Sequence, residues 1–442
     1  MAWNALTLTF AVVAGLLATP FAAAAVGGVA PLGGPAGHPA SVPSPLVKIL
    51  KTLSVGTQPT GATYDPVNGK LYEPNLGSNS VSIIRGSTNK VIHNVSVGVR
   101  PVHVVFNNAS HDLYVLNLGS NNVSVISGLK DKVVRTVNIS GNLLPISTYD
   151  PADGDVYVVS QISAPANDRV TQIDKVTYGL RTFAIGPASQ IVFDPGNQEL
   201  VTTNTATNNL SLIAPNATAA TTINLPAGSG PATFTYNPFN LDLYISDPGN
   251  SVHGAPAPTG NVTVLAKNNS IVATIKVGQL PVVSTYDPAN HDIYMVNQGY
   301  LGLGGTPNSS VSVIAPSNTV VRTIPLGPGG VLATFDPKNN EMFVACALAN
   351  KTYVINTTTN KVVAKLTTLD HPFGSIYDPR SSDVFVIPYG GVGSTLLTAL
   401  SSSNKVVSTL ALGSGPTGPV FDPANGDMYI ANQGSGNISV VR

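Results

Sequence analysis

The chain alternates short apolar segments with short polar ones along nearly its whole length. Residues 102–106, 113–117, 123–126 and 132–139 are rich in β-branched and aromatic residues, and Asn-, Asp- or Gly-containing segments separate them. This pattern predicts β-strands joined by tight turns. No window shows the spacing of an amphipathic helix, so we expect an all-β protein with almost no helix.

A short phrase marks each repeat of this pattern: an aromatic residue, then Asp or Asn, usually followed by Pro. Its nine copies begin at Tyr64, Phe106, Tyr149, Phe193, Tyr236, Tyr286, Phe335, Tyr377 and Phe421. The copies recur about every 45 residues, which is the length of one four-stranded propeller blade. The spacing therefore predicts a single β-propeller of about nine four-stranded blades.

The repeated Asp or Asn has a local structural explanation. Its side chain can accept a hydrogen bond from the backbone two residues on, and the following Pro fixes φ for a turn. We therefore interpret the repeated Asp as a turn former and not as a ring of catalytic carboxylates. The pairs His111-Asp112 and His291-Asp292 resemble acid–base dyads, but they stand at the same turn position and are interpreted as turn residues.

The last copy of the repeat is incomplete, which predicts how the ring closes. After three strands the chain stops at Arg442, and residues 47–56 match the fourth strand of other repeats. We expect this N-terminal strand to complete the last blade, because closure removes sheet edges that would otherwise pair with other chains. The predicted propeller spans residues 46–442.

The first 45 residues differ in character from the repeats. Residues 1–25 contain an uncharged apolar run followed by small residues, which predicts a signal peptide; a retained membrane anchor is the alternative. Residues 26–45 are rich in Gly, Pro and Ala and are interpreted as a linker. We expect an exported protein, either extracellular or on the cell surface, without a membrane span in the mature chain.

The second strand of several blades carries a family resemblance. Residues 114–117, 294–297, 429–432 and 201–204 read Tyr-Val-Leu-Asn, Tyr-Met-Val-Asn, Tyr-Ile-Ala-Asn and Val-Thr-Thr-Asn. With the Gly-Ser-Asn turn and Val-rich strand of 119–126, they resemble the YVTN-type β-propeller repeat family. The resemblance implies a surface-layer or secreted protein, although lactonases and other enzymes share the fold. Departures occur at Asn108, at 347–350 and at Pro388.

Composition helps to choose among three classes of function: an interaction protein, an enzyme and a nucleic-acid binder. Charged residues make up 10% of the chain and the formal net charge is zero, which argues against nucleic-acid and anionic-lipid partners. We find no metal-ligand spacing, expect no cofactor, and interpret the single Cys346 as a buried structural thiol. The favoured function is a structural or interaction protein and not an enzyme. A lactonase- or lyase-type propeller enzyme and a single-stranded nucleic-acid binder are the alternatives.

Twelve Asn-x-Ser/Thr sequons could carry glycans, which would make the surface hydrophilic without charge. The sequence context alone also favours Asn and Ser at these turns, so glycosylation is a hypothesis. The candidates are Asn94, Asn122, Asn138, Asn209, Asn216, Asn261, Asn268, Asn308, Asn356 and Asn437, together with Asn108 and Asn350.

Two loops between second and third strands are longer than the others, in blades five and six. Insertions on one face of a repeat protein often mark its binding face, although tolerated loop growth is the alternative. This predicts a binding surface for an unknown protein or glycan partner. Its candidate residues are Asp247, Asn250, His253, Gln298, Tyr300 and Asn308.

Overall fold

The computed structural model describes residues 47–163, 167–249, 260–299, 309–368, 371–389 and 395–442. The predicted signal peptide and linker lie outside these ranges, as do Asn250, His253, Tyr300 and Asn308. In the described residues, 36 β-strands form nine four-stranded antiparallel sheets. The prediction of an all-β, nine-bladed propeller is therefore confirmed.

Blades 1 to 4 follow one another along the chain. Their strands are β2 (Thr63–Asp65), β3 (Lys70–Asn75), β4 (Ser80–Arg85) and β5 (Lys90–Ser96); β6 (Pro101–Asn107), β7 (Asp112–Asn117), β8 (Asn122–Ser127) and β9 (Lys132–Asn138); β10 (Asn142–Tyr149), β11 (Val156–Ser163), β12 (Asn167–Ile173) and β13 (Leu180–Ile185); and β14 (Gln190–Asp194), β15 (Glu199–Asn204), β16 (Asn209–Ile213) and β17 (Thr221–Asn224).

Blades 5 to 8 repeat this arrangement. Their strands are β18 (Phe234–Asn237), β19 (Asp242–Asp247), β20 (Asn261–Leu265) and β21 (Ile271–Lys276); β22 (Pro281–Tyr286), β23 (Ile293–Asn297), β24 (Ser310–Ala315) and β25 (Thr319–Pro325); β26 (Gly330–Asp336), β27 (Glu341–Cys346), β28 (Lys351–Asn356) and β29 (Lys361–Thr367); and β30 (Pro372–Tyr377), β31 (Val384–Pro388), β32 (Leu396–Leu400) and β33 (Val406–Ala411).

Blade 9 joins the two ends of the described chain. It contains β34 (Pro416–Asp422), β35 (Asp427–Asn432), β36 (Asn437–Val441) and the N-terminal β1 (Ile49–Ser54). β1 pairs antiparallel with β36, placing Leu53 opposite Ile438, and the backbones of Lys48 and Arg442 exchange hydrogen bonds of 2.8 and 3.1 Å. The predicted closure by the N-terminal strand is confirmed.

Helical structure in the described ranges is limited to three single turns of 3₁₀ helix, at Gly86–Thr88, Thr205–Thr207 and Ala347–Ala349. Each of these turns connects two strands within a blade. Within the same ranges, no helix has the length and apolar character needed to cross a membrane.

The hydrophobic core lies between the blades. One buried cluster combines Leu53, Tyr429 and Ile438 of blade 9 with Leu71 and Ile84 of blade 1. The other clusters likewise join neighbouring blades, since each sheet has two faces and each face packs on the next sheet. The first strands of successive blades contact one another, so they form the inner wall and the fourth strands form the outer rim.

Tyrosines of the second strands tie each blade to the next. The hydroxyl of Tyr244 donates to Asn318 Oδ1 at 2.6 Å, and that of Tyr294 donates to Asn360 Oδ1 at 2.7 Å. Both Asn residues occupy left-handed turn positions, with φ of 61° and 52°. Tyr429 makes the equivalent bond to Asn89, which carries the pattern across the point where the ring closes.

Hydroxyl groups of the first strands make a second set of contacts between blades. Thr63 Oγ1 donates to the carbonyl of Val104 at 2.7 Å, and Thr285 Oγ1 donates to that of Ala333 at 2.9 Å. These carbonyls belong to the innermost strand of the next blade, whose free edge has no further strand to pair with. The small polar residues of the first strands therefore satisfy backbone groups on the inner wall.

We predict that Leu53→Ala destabilises the whole ring, because Leu53 is 4% exposed and belongs to the cluster that joins blades 9 and 1. The expected cost is about 2–5 kcal/mol in the free energy of unfolding, measured by urea denaturation. The exposed neighbour Thr52→Ala is the control and should change it by less than about 0.5 kcal/mol. Equal, small effects of both substitutions would show that β1 does not hold the ring closed.

Candidate binding surfaces

The repeated Asp or Asn forms the same turn in all nine blades. In each copy its Oδ1 accepts a hydrogen bond from the backbone N–H two residues on, at 2.8–2.9 Å. The prediction that this residue is a turn former is confirmed. In blades 2 and 5 the residue is Asn, and its Nδ2 also donates to a carbonyl of the next blade, Gly154 and His291 respectively.

The His residues of the two His-Asp pairs lie in turns, as the sequence predicted, and Asp112 begins β7. His111 and His291 have φ of 58° and 66°, and the backbone N–H of each donates to the carbonyl of the repeat Asn or Asp at 2.8 Å. The His291 ring stacks on Phe239 with a centroid distance of 4.2 Å, and its Nδ1 lies 2.7 Å from the hydroxyl of Tyr286. These contacts fix the ring against its neighbours.

The Asn that ends the second strand clamps the third strand. Asn117 Nδ2 donates to Ser124 Oγ at 3.0 Å and to Asn122 Oδ1 at 2.9 Å. The bond to the Ser hydroxyl recurs at Asn75, Asn204, Asn297 and Asn432. This clamp gives a structural reason for the Asn of the Tyr-x-x-Asn phrase.

The clamp divides the candidate glycosylation sites into two groups. Asn122, Asn209 and Asn437 are half-buried, and the Oδ1 of each accepts a hydrogen bond from a clamp Asn. Asn261 and Asn356 are half-buried as well, and Asn308 lies outside the described residues. The exposed candidates are Asn94, Asn108, Asn138, Asn216, Asn268 and Asn350. A bulky glycan fits this second group better.

Of the six candidate residues in the long loops, the structure describes Asp247 and Gln298. Asp247 is 2% exposed and stands at the clamp position of blade 5, where Thr263 Oγ1 donates to its Oδ2 at 2.6 Å. Burial raises the pKa of Asp247 to about 7. Gln298 is 5% exposed, and its backbone N–H donates to Leu280 O at 2.9 Å. Asp247 ends β19 and Gln298 follows β23, and both are buried and offer little surface to a partner.

Glu73 is a buried carboxyl that was not predicted from the repeat pattern. It is fully buried in β3, where its Oε1 accepts backbone N–H groups of Thr60 and Gly61, both at 2.8 Å, and its Oε2 has no partner. Burial raises its pKa to about 8, although the two N–H groups oppose that rise. Blades 2 and 5 have Val115 and Ile245 at this position, which was the one available sequence signal.

Charged side chains are sorted by sign between the interior and the surface. Sixteen of the 22 acidic residues are buried, and among the described residues none is exposed. All 22 basic residues are described, none is buried, and 19 are exposed. The formal net charge of zero therefore does not describe the surface, because most of the described acids are buried and most of the bases are exposed.

The outer strands carry much of this exposed positive charge. The nine fourth strands contain no Asp or Glu, and seven of them contain Lys or Arg. We call this set the cationic rim: Lys51, Lys90, Lys132, Arg135, Arg181, Lys276, Arg322, Lys361 and Lys365. Lysine at exposed sheet edges also discourages edge-to-edge pairing, so the rim has a protective role independent of any ligand.

One groove in the rim lies between β25 of blade 6 and β29 of blade 7. It has a volume of about 260 Å³. We call it the blade 6/7 groove; its lining includes Arg322, Lys361 and Lys365 as cations and Ile324, Pro325 and Val362 as apolar residues. In the described part of the chain, none of the three cations belongs to an ion pair.

Other reactive groups in the described ranges are buried or scattered. Cys346 is fully buried, and burial raises the pKa of its thiol to about 12, which confirms the structural interpretation of this residue. Over the same ranges, no three His, Cys, Asp or Glu side chains are grouped so that they could hold a metal ion.

Comparison with known proteins shows the fold alone. No protein-family model and no curated protein matches the sequence. The dihydro-heme d1 dehydrogenase NirN is 14% identical with a TM-score of 0.57, over 87% of this chain and 80% of that one. The Dos1 propeller is 10% identical with a TM-score of 0.54, over 90% and 95%. Virginiamycin B lyase from Staphylococcus aureus is 14% identical with a TM-score of 0.45, over 89% and 99%.

We predict that Glu73→Gln makes the protein less sensitive to alkaline pH. Because the folded-state pKa is raised, protonated Glu73 stabilises the fold at low pH, and this contribution is lost as the pH rises toward about 8. Gln can keep both backbone contacts without a charge. Between pH 5 and pH 8 the wild type should lose about 3–4 kcal/mol relative to the variant, measured by guanidinium unfolding. Parallel stability curves would contradict this assignment.

Proposed function

We propose that the protein is an exported β-propeller that acts as an interaction module, either secreted or held at the cell surface, and not as an enzyme. The observation that carries this proposal is the sorting of charge. In the described residues, most carboxylates lie in turns and between sheets, whereas the exposed charges are cations spread around the ring.

Two features of the sequence support export. Residues 5–17 form an uncharged apolar run, and residues 21–25 supply the small side chains typical of a cleavage site. The resemblance of several blades to YVTN-type repeats favours the same compartment. The single buried cysteine is compatible with an oxidising environment, because it has no cysteine partner within the chain and is shielded from solvent.

The surface chemistry favours binding over catalysis. A propeller active site needs acid–base or metal-ligating groups that converge on one mouth of the ring. The repeat carboxylates are instead engaged by backbone N–H groups, as at Asp150 and Asp336. Exposed Lys and Arg with surrounding Ser, Thr and Asn suit recognition of a polar, anionic partner.

We expect cells that naturally produce this protein to carry it outside the cytoplasm. Proteolysis of intact cells should remove it, and the mass of the native chain should be lower than that of the full sequence by a cleaved N-terminal segment, before any glycan is added. Where glycans are present, peptide mapping should locate them at exposed sites such as Asn94, Asn138 or Asn268 and not at Asn122 and Asn437, which accept hydrogen bonds from clamp Asn residues.

Recovery of the unprocessed chain from the cell interior, protected from external protease, would contradict the proposal. A cytoplasmic protein released by lysis is the control for cell integrity. Glycans found only at Asn122 and Asn437 would contradict the assignment of modification sites and leave the export result unaffected.

A further inference from the structure

We propose that the blade 6/7 groove binds an acidic polysaccharide. This inference rests on the proposed function, because a protein outside the cytoplasm is placed where it can meet such a polymer. Three cations from two neighbouring blades line one cavity of about 260 Å³, and the nearby described structure supplies no carboxylate in an ion pair with them. An anionic ligand would supply the missing countercharge.

The geometry of β29 favours a polymer over a small anion. Lys361 and Lys365 both line the groove, and the register shift between β28 and β29 lies between them. Their partners on β28, Asn356 and Tyr353, are three residues apart, so the two positions lie about 10 Å apart, which exceeds the reach of one carboxylate or sulfate group. Arg322 faces them from β25 of the adjacent blade. Three separated charges fit a chain that repeats its anionic groups.

The groove is built on fixed structure. Asn360 in its wall accepts the hydrogen bond of Tyr294 that joins blade 6 to blade 7. Lys365 Nζ lies 5.5 Å from the centroid of the Tyr353 ring, a cation–π distance that orients the side chain. A ligand would therefore meet positioned charges, which lowers the entropic cost of binding.

The same residues disfavour two other polyanions. Single-stranded nucleic acid is held by bases stacked on aromatic side chains, and no aromatic ring belongs to the groove lining. An anionic membrane presents a plane, whereas the groove lies on the convex outer rim between two blades. The amide of Asn360, which belongs to the lining, can bond sugar hydroxyls.

The test compares two triple variants of the full chain that lose the same charge. R322S/K361S/K365S empties the groove of cations, and K90S/K132S/R135S removes three cations of the rim from blades 1 and 2. All six side chains are exposed, so both variants should keep the wild-type melting temperature. Binding to immobilised alginate, a polyuronate, is measured at about 0.15 M salt, where long-range attraction is screened.

We expect the groove variant to bind alginate about tenfold more weakly or worse, because three charge-assisted contacts are lost, and the control to stay within about threefold of wild type. Equal losses in both variants would overturn the inference and leave only a diffuse cationic rim. It would also be overturned if wild type bound no alginate, or preferred poly(dT) or vesicles containing an anionic phospholipid. Export can fail its own test without changing these results, so the two proposals are separately falsifiable.

Discussion

The structure depends on one constraint: no blade can bury its apolar faces alone. Each sheet has two apolar faces, and the clusters that bury them take residues from two neighbouring blades. A blade at the end of an open row would expose one face, which is why the ring must close and why β1 is recruited from the other end of the chain. The Tyr-to-Asn hydrogen bonds and the Thr hydroxyls then fix the blades at a set spacing.

This constraint explains which features the sequence could predict. The nine turns follow from local chemistry, since Asp or Asn bonds its own backbone two residues on, and nine copies of a local signal give the blade count. Closure could be predicted because a missing strand at one end matched a spare strand at the other. The contacts between blades could not be predicted from the sequence. Tyr429 and Asn89, for example, are 340 positions apart, and no local pattern connects them.

The repeat pattern did not reveal the roles of residues that differ from those at the same position in other blades. Glu73 stands in a second strand with ordinary repeat spacing, and its Oε1 accepts the backbone N–H groups of Thr60 and Gly61, which precede β2. Asp247 was predicted as part of a binding loop, but it occupies the clamp position that Asn fills elsewhere. For Asp247 the residue type suggested a binding site, whereas its position in the blade determines its contacts.

The separation of buried acids from exposed bases follows from the same repeat. It explains why the net charge was a poor guide to the charge of the surface. Turns of this kind favour Asp, and the repeat Asp is buried, so most blades have a buried carboxylate at this position. Outer strands need a charge that resists edge pairing, and Lys meets that need, so the bases accumulate outside. Edge protection explains one cation per outer strand. Three cations on two neighbouring outer strands also occur at Lys90, Lys132 and Arg135, so their number alone does not set the blade 6/7 groove apart. The groove differs because its three cations line one cavity, with Asn360 in the wall and the Tyr353 ring positioning Lys365.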